Sequence, residues 1–409
     1  MRVVLLNTGT ELLLGDVQDR HLAFIAREIF QLGLRVNEQR TVPDGSAIRD
    51  SLVELFSRAD ILAVTGGLGP TTDDHTLETV AGLLELELIQ SESVMNSIRE
   101  RLLNRGIRIT KRIERQSFMP AGALVLPNEN GTAPGLYFRE NINPRIRSPH
   151  LFLLPGPPRE LQPMFRDSAM SILRAIAPAS TSIQRRIYRI TGIGESLVED
   201  AIGEKILAIP GIELGYCARP GEVDLRVIGD SKAVERVDQI VKDKLGKWIF
   251  STGDELLEEV LVKQLTGLNE TLAVAESCTG GLLANRITNV PGASKIFLAG
   301  YITYSNEAKI DILDVDAKMI DKHGAVSDEV ARAMAEGACA RARSTYALST
   351  TGVAGPRGGS KEKPAGTVYV GFASPERTVT KKFFFPNDRE TFKQQTAQAA
   401  FDLLRRKLI

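Results

Sequence analysis

Thr271 to Gly281 reads TLAVAESCTGG, and the fold of the C-terminal third follows from it. The apolar run at 271–275 has the length and composition of a buried strand, and the glycine pair at 280–281 opens a helical pattern that runs to about 289. A strand that turns sharply into a helix is half of a parallel β–α–β unit, so this segment predicts an open α/β sheet. Working outward, the same pattern recurs. A helix is expected over 254–266, a strand over 296–304, a helix over 328–342 and a strand over 345–350. Two strands follow within 366–385, then a last helix after Asn387. Asn387 and Glu390 have the spacing of a capping box, with Asn387 as the cap. Residues 255–409 are therefore expected to form one α/β domain.

The first 170 residues alternate in the same way. Apolar strands are expected at 2–6, 60–65 and 151–154, with helices at about 20–32, 46–58 and 93–105, which predicts a parallel sheet covered on both faces. Pro155-Gly156-Pro157-Pro158 stops the last of these strands. Between the two α/β domains, residues 180–250 change character. RRIYRITG and VDLRVIGD alternate like half-exposed strands and a helix is expected at 195–208, so this segment reads as a small α+β module with one face open. Ser251 to Asp254 marks its end.

The chain has 409 residues, too many for one ordinary core, which agrees with three domains. Lys plus Arg equals Asp plus Glu, 51 each, so no net field attracts nucleic acid or an anionic membrane. No stretch approaches the run of roughly 18 apolar residues that spans a bilayer. The first residues, MRVVLLNTGT, lack the long apolar region of a signal peptide and read as a strand. Cys217, Cys278 and Cys339 are too scattered for a disulfide framework or a zinc site. A cytoplasmic location is expected.

Three loops of the C-terminal domain, each after an expected strand, carry unusual chemistry: AESCTGG from Ala275, YSNEAK from Tyr304 and TTGVAGPRGGS from Thr350. In open α/β sheets ligands sit beyond the carboxyl ends of the strands, where such loops converge. Ser277 is the candidate nucleophile, although Ser277 or Thr279 could equally cap the following helix. Lys309 is the candidate base. It falls in or near the first turn of a helix capped by Ser305 or Asn306, where the helix dipole disfavours a cation and so favours the neutral amine. The plain alternative is a solvated surface lysine. Cys278 is a competing nucleophile, ranked second because a cysteine at a strand end is often simply buried. The glycine loop, Gly352 to Gly359, offers N–H groups to an anion but is no Walker A loop. Arg389, in the first turn of the last helix, is a candidate phosphate partner or an ordinary exposed charge. His323 is the domain's single histidine, and no Ser-His-Asp arrangement is suggested.

In the N-terminal domain the informative run is TGGLGPTTDDHT, from Thr65. Gly66, Gly67 and Gly69 free the backbone to wrap a phosphate, and Asp73 and Asp74 stand at a helix start. Carboxylates beside a phosphate cradle suggest a hard divalent cation, the alternative being an Asp-capped helix. A second strand-end loop supplies Gly9, Thr10 and Glu11.

Taken in order, AESCTGG, TYSNEAK, HGAVS, TGVAGPRGG, KPAGTVYVGF and FPNDRE resemble the CinA C-terminal, or PncC, family from about residue 255 onward. The one departure is Asn387, where a glycine is common. The resemblance implies a nicotinamide-nucleotide amidase without a cofactor, converting nicotinamide mononucleotide to nicotinic acid mononucleotide and ammonia. It implies Ser277 as nucleophile, Lys309 as its activating partner, Tyr304 steering the proton and Arg389 holding phosphate. Thr279, Gly280, Gly281, Asn306, Thr351, Gly352 and Gly355 complete the implied substrate site. TGTELLLG, TGGLGPTTDD, NGTAPG and LLPGPPREL resemble the molybdopterin-binding-like domain of CinA proteins over 1–170. That likeness implies a three-layer α/β sandwich and hydrolysis of ADP-ribose with a divalent ion such as magnesium. Arg20 departs from the small hydroxyl residue common in that family. The middle segment resembles the KH-type module of CinA proteins but has Gly192-Ile193-Gly194 in place of the GxxG that clamps nucleic acid. It is read as a spacer or dimerisation element, and direct nucleic-acid binding is not expected. The family commonly forms homodimers, which is the expectation here. Two other readings remain open. One is a pterin- or nucleotide-binding scaffold with a silent N-terminal domain, the other an accessory protein of DNA uptake or repair.

Overall fold

The computed structural model describes residues 1–409 except 73, 104, 105, 107, 179–182 and 409. The chain divides into two compact units, Met1–Ser182 and Ile183–Ile409, and each is a mixed α/β structure.

The first unit is built on a six-stranded sheet in the order Val36–Val42, Val3–Thr8, Ile61–Thr65, His150–Leu154, Gly135–Phe138, Leu124–Leu126. Four strands are parallel, but the last two join antiparallel, so the sheet is mixed rather than purely parallel. The sequence hides those two strands because they are short and follow turn-rich segments. Alternate residues of the central strands feed two cores. Val4, Leu6, Leu62 and Val64 pack against the helices Ser46–Arg58 and Thr76–Leu83. Val3, Leu5, Ile61 and Ala63 pack against His21–Phe30 and Pro158–Met164. The result is a three-layer sandwich. The Pro155–Pro158 run both stops a strand and starts a helix, since Pro158 sits in the first helical turn, where its missing N–H costs nothing.

The second unit begins with a four-stranded antiparallel sheet, ordered Glu213–Arg219, Glu222–Asp230, Ile183–Thr191, Ile249–Ser251, with the helices Glu195–Leu207 and Ser231–Leu245 on one face. The sequence reading missed the strand Glu213–Arg219, whose half-exposed residues show no sustained apolar run. The module is not freestanding. Arg405, 2% exposed on the last helix of the chain, donates to the carbonyls of Lys247 and Ile249 and fastens that helix to it.

The remainder carries a five-stranded sheet ordered Phe297–Ile302, Leu272–Glu276, Tyr346–Gly352, Thr367–Ala373, Thr378–Phe384. Its first three strands are parallel and the last two antiparallel. One face presents Leu272, Val274, Leu348 and Val370 to the helices Leu257–Leu268 and Arg389–Leu408. The other presents Ala273, Ala275 and Ala347 to Asp328–Ala342. Small side chains on that face let the helix come close. A Cβ on Gly371 would lie 2.5 Å from the Ala331 carbonyl oxygen. Three parallel strands side by side put three loops at one edge, and those are the loops singled out by their chemistry. The final helix is capped differently from the expectation. Asp388, not Asn387, accepts from the N–H groups of Glu390 and Thr391, while Asn387 donates to Gln395 instead. No helix among the described residues is long and apolar enough to cross a membrane.

Candidate active site

Ser277 follows directly on the strand Leu272–Glu276, and its N–H donates to the Thr350 carbonyl on the neighbouring strand at 2.9 Å. The chain then turns through Gly280 and Gly281, both at positive φ, into the helix Leu282–Thr288. Neither Ser277 nor Thr279 caps that helix. The fully buried Glu276 does so, accepting from the N–H groups of Gly281, Leu283 and Ala284 at 2.9 to 3.1 Å. A carboxylate at a helix N-terminus satisfies orphan donors and complements the helix dipole. Because Glu276 does the capping, the Ser277 hydroxyl is left free. Sequence reasoning passed over this residue, and its one signal was a glutamate at the end of an otherwise apolar strand. Thr279 is also buried, and its hydroxyl pairs with that of Thr350 at 2.7 Å.

Lys309 lies on the helix Asn306–Leu313, which Ser305 caps by accepting from the Ala308 N–H. It is not a surface lysine, being 1% exposed. Its Nζ lies 3.2 Å from Ser277 Oγ and 2.9 to 3.3 Å from the carbonyl oxygens of Thr303, Tyr304 and Ser305. Burial pushes the Lys309 amine below the ordinary lysine range, while the Glu307 carboxylate pulls the other way. The helix N-terminus acts in the same direction as burial. The amine is thus held beside the serine hydroxyl with its protonated form disfavoured.

Cys278 is buried in an apolar cluster with Ala354, Val368 and Phe392. Burial pushes its thiol up to about 12, so at neutral pH it carries no thiolate. His323 is occupied by Glu329, 3.1 Å from its Nδ1.

The open side of the site is lined by exposed polar groups. Arg389 donates through Nη2 to the Tyr304 hydroxyl at 2.7 Å and through Nη1 to the Gly355 carbonyl at 3.2 Å, tying two of the three loops to the last helix. Tyr304 is 60% exposed, so its ring stands over the mouth of the site rather than in its floor. Asn306 is exposed on the same rim. Thr351 belongs to the wall instead: it is buried and its hydroxyl donates to the Ala325 carbonyl. At Gly352 a Cβ would meet the Thr367 carbonyl at 2.8 Å, so the backbone there is pressed against its neighbour. Gly355 adopts positive φ at the start of the glycine loop. Lys393 was not anticipated. It is half-buried one helical turn beyond Arg389, on the same face, and its Nζ would lie 3.7 Å from a Cβ on Gly280. A cation therefore overhangs the serine turn.

In the first unit the four motifs converge on a cleft of about 420 Å³. Gly9, Glu11, Gly66, Gly67, Gly69, Asp74 and Gly131 line it, together with Pro155 to Pro157. Side chains would not fit at the glycines. A Cβ on Gly66 would stand 2.6 Å from the Thr8 carbonyl oxygen and one on Gly67 2.0 Å from Thr76 Oγ1. Thr10 is outside the lining, because its N–H and hydroxyl both donate to Asp44. Asp73 lies outside the described residues. Asp74 accepts from the N–H and hydroxyl of Thr71, which occupies one of its oxygens. Among the described residues no three acidic, His or Cys side chains gather closely enough to hold a metal ion. The lining also includes Arg159 and Glu160 of the LLPGPPREL motif, and it brings in Asp44 and Arg101, which lie outside the motifs. Asp19 and His21 build a partly buried polar network. Asp19 accepts from Asn7 and from the His21 N–H, and His21 Nδ1 pairs with the Thr65 hydroxyl.

Known proteins match over the whole chain. Three family descriptions apply: "Probable molybdopterin binding domain" over residues 4–175, "Damage-inducible protein CinA KH domain" over 185–251 and "CinA C-terminal domain" over 254–408. A "CinA-like protein" of Akkermansia muciniphila is 40% identical over 402 residues, 98% of this chain and 96% of that one. A relative from Caldicellulosiruptor bescii, named for competence and damage induction, is 39% identical over 409 residues, 98% of each. Among solved structures, the competence/damage inducible protein CihA of Agrobacterium tumefaciens is 35% identical. That match covers 36% of this chain and 92% of that one, with a TM-score of 0.36.

Proposed function

From the premise that the chain belongs to the CinA family, we propose that its C-terminal domain hydrolyses the carboxamide of nicotinamide mononucleotide, releasing nicotinic acid mononucleotide and ammonia. The observation that carries the reading is a buried lysine whose amine reaches the hydroxyl of a serine on a strand-to-helix turn. Serine–lysine pairs replace Ser-His-Asp where burial keeps the amine neutral.

In this reading Ser277 Oγ attacks the carboxamide carbon while neutral Lys309 takes its proton. Backbone N–H groups of Cys278 and Thr279, in the turn, would stabilise the oxyanion. The tetrahedral intermediate collapses, the C–N bond breaks, and Lys309 returns the proton to the departing ammonia. Water then attacks the resulting ester, Lys309 again accepting the proton, and the acid leaves with Ser277 restored. Arg389 and Lys393 face the same side of one helix and would pair with the phosphate, with the Tyr304 hydroxyl held in place by Arg389. No cofactor is needed for these steps.

The test is ammonia release from nicotinamide mononucleotide by the purified chain, beside Ser277→Ala and Cys278→Ala. Release that stops in the first and survives in the second is expected. A well-folded wild type that releases none would sink the proposal.

For the N-terminal cleft the proposed activity is cleavage of the ADP-ribose pyrophosphate. Glycine backbone and the guanidiniums of Arg101 and Arg159 suit a pyrophosphate. A magnesium ion there would be held by Asp74 and by phosphate and water oxygens, the usual arrangement when protein carboxylates are few. It would supply charge neutralisation. The occupied Asp74 favours the competing reading of a nucleotide-binding scaffold. AMP release from ADP-ribose with magnesium separates the two, since a scaffold gives none.

A further inference from the structure

Another cavity of the molecule is neither of these sites. It lies within the second unit, between the middle module and the C-terminal helix, and holds about 540 Å³, within the range of sites that bury small organic ligands. Three kinds of group line it. Trp248, Phe383 and Phe385 give apolar walls, the two phenyl rings lying stacked with centroids 5.7 Å apart. Lys381 and Arg406 give positive charge. Lys381 has no ion-pair partner among the described residues, only the ring of Phe383 beneath its ammonium. Arg406 is balanced by Asp402. The third group is backbone: Gly192 to Gly194 lead into the 13-residue helix Glu195–Leu207, whose N-terminus has no side-chain cap and opens onto the cavity. Uncapped N–H groups and the helix dipole favour an anion at that end.

The backbone has been kept bare where these parts meet. A Cβ on Gly192, which sits at positive φ, would stand 2.9 Å from Arg406 Nη2 and 3.8 Å from Trp248 Cδ1. The Gly192-Ile193-Gly194 turn therefore faces the C-terminal helix and this cavity. Flat apolar walls suit an aromatic ring, and the cations with the helix end suit an anionic group attached to it. Glu195 offers an acceptor to hydroxyl or amino groups between the two.

We propose that this cavity is a second small-ligand site on the C-terminal unit, taking a planar aromatic base that carries a phosphate, of the size of a nucleoside monophosphate. It rests on the cavity alone and stands or falls independently of the amidase.

Trp248 is the chain's single tryptophan, so its emission reports the cavity directly. The full chain is titrated with AMP, adenosine and inorganic phosphate, in the wild type and in Ser277→Ala, Lys381→Glu and Ala399→Phe, Ala399 lining the cavity from the last helix. The proposal expects a saturable change with AMP and much weaker changes with adenosine or phosphate alone. The AMP response should be unaltered in Ser277→Ala and weakened about tenfold or more in the two cavity variants. Lys381 is an exposed strand residue, so its variant folds even if the bulkier Ala399→Phe does not. No saturable response to AMP overturns the proposal. So does a response that survives Lys381→Glu unchanged, or one that Ser277→Ala removes.

Discussion

Lys309 Nζ stands 3.2 Å from Ser277 Oγ although 32 residues separate them in the chain. Each residue lies just beyond the carboxyl end of one of two adjacent parallel strands, which makes the contact a property of the sheet. Replacing Lys309 by Met keeps most of the volume and removes the base. We expect Lys309→Met to lower kcat for amide hydrolysis by about 10²- to 10⁴-fold, the usual contribution of a general base, with little change in the melting temperature. Activity within a few-fold of wild type would remove Lys309 from the chemistry.

The pH dependence follows from the same environment. Burial lowers the Lys309 pKa from its ordinary value of 10.5, and the reaction needs the neutral amine. Amidase kcat/KM should therefore fall as pH drops through the lowered pKa and level off above it. The stability effect has the same sign. The unfolded chain binds the Lys309 proton more readily than the folded one, so this residue destabilises the fold below its folded pKa, and that cost disappears as pH rises toward 10.5. A pH–rate profile whose acidic limb is unchanged in Lys309→Arg would contradict the assignment.

Cys278 sits next to the candidate nucleophile in sequence, and burial pushes its thiol up to about 12, which disfavours the reactive thiolate. Iodoacetamide at pH 7.5 should label exposed Cys217 and leave Cys278 unmodified in the folded protein. Peptide mass spectrometry reads this directly, and amidase activity should survive the treatment. Rapid labelling of Cys278 with loss of activity would reverse the ranking of the two nucleophiles.

Glu276 stabilises the turn that presents the serine. Glu276→Gln keeps the shape but replaces one accepting oxygen with a donor facing backbone N–H groups. A loss of about 1–3 kcal/mol in unfolding free energy is expected, together with reduced kcat. Denaturant melts measure the first; an unchanged midpoint would argue that water replaces the missing acceptor.

Arg389 and Lys393 differ in what they touch, and their variants should differ accordingly. Lys393→Ala should raise KM for nicotinamide mononucleotide about tenfold while leaving kcat near wild type, as for uniform binding. Arg389→Ala should lower kcat as well, since Arg389 also holds the Tyr304 hydroxyl. Equal loss on nicotinamide riboside, which has no phosphate, would show that neither cation reads the phosphate.

Much of this site was legible before any coordinates, and the reasons are local. A strand that ends in Glu-Ser-Cys-Thr-Gly-Gly must turn, because glycines at 280 and 281 permit positive φ and the apolar run cannot continue. Likewise the Ser305 cap places Lys309 within a turn of a helix start. The errors were equally physical. Asp388 and Asn387 are both good caps, and only the path of the backbone chose between them. The short antiparallel strands Leu124–Leu126 and Gly135–Phe138 owe their state to sheet pairing, and three or four residues show too little periodicity to reveal it.

What the sequence determined by itself was the succession of strands and helices, the family, and the identity of the groups able to do chemistry. These depend on periodicity, turn residues and residue type, which act over a few positions. What only the tertiary structure decided was burial and juxtaposition. Lys309 stands as the candidate base because sheet pairing carries it, 1% exposed, beside Ser277. Thr351 becomes wall because Ala325 lies within reach, and the cavity at Trp248 exists because Arg405 fastens the last helix to the middle module. A desolvated amine and a cavity are both made by atoms far apart in the chain, so no short window of residues could contain them.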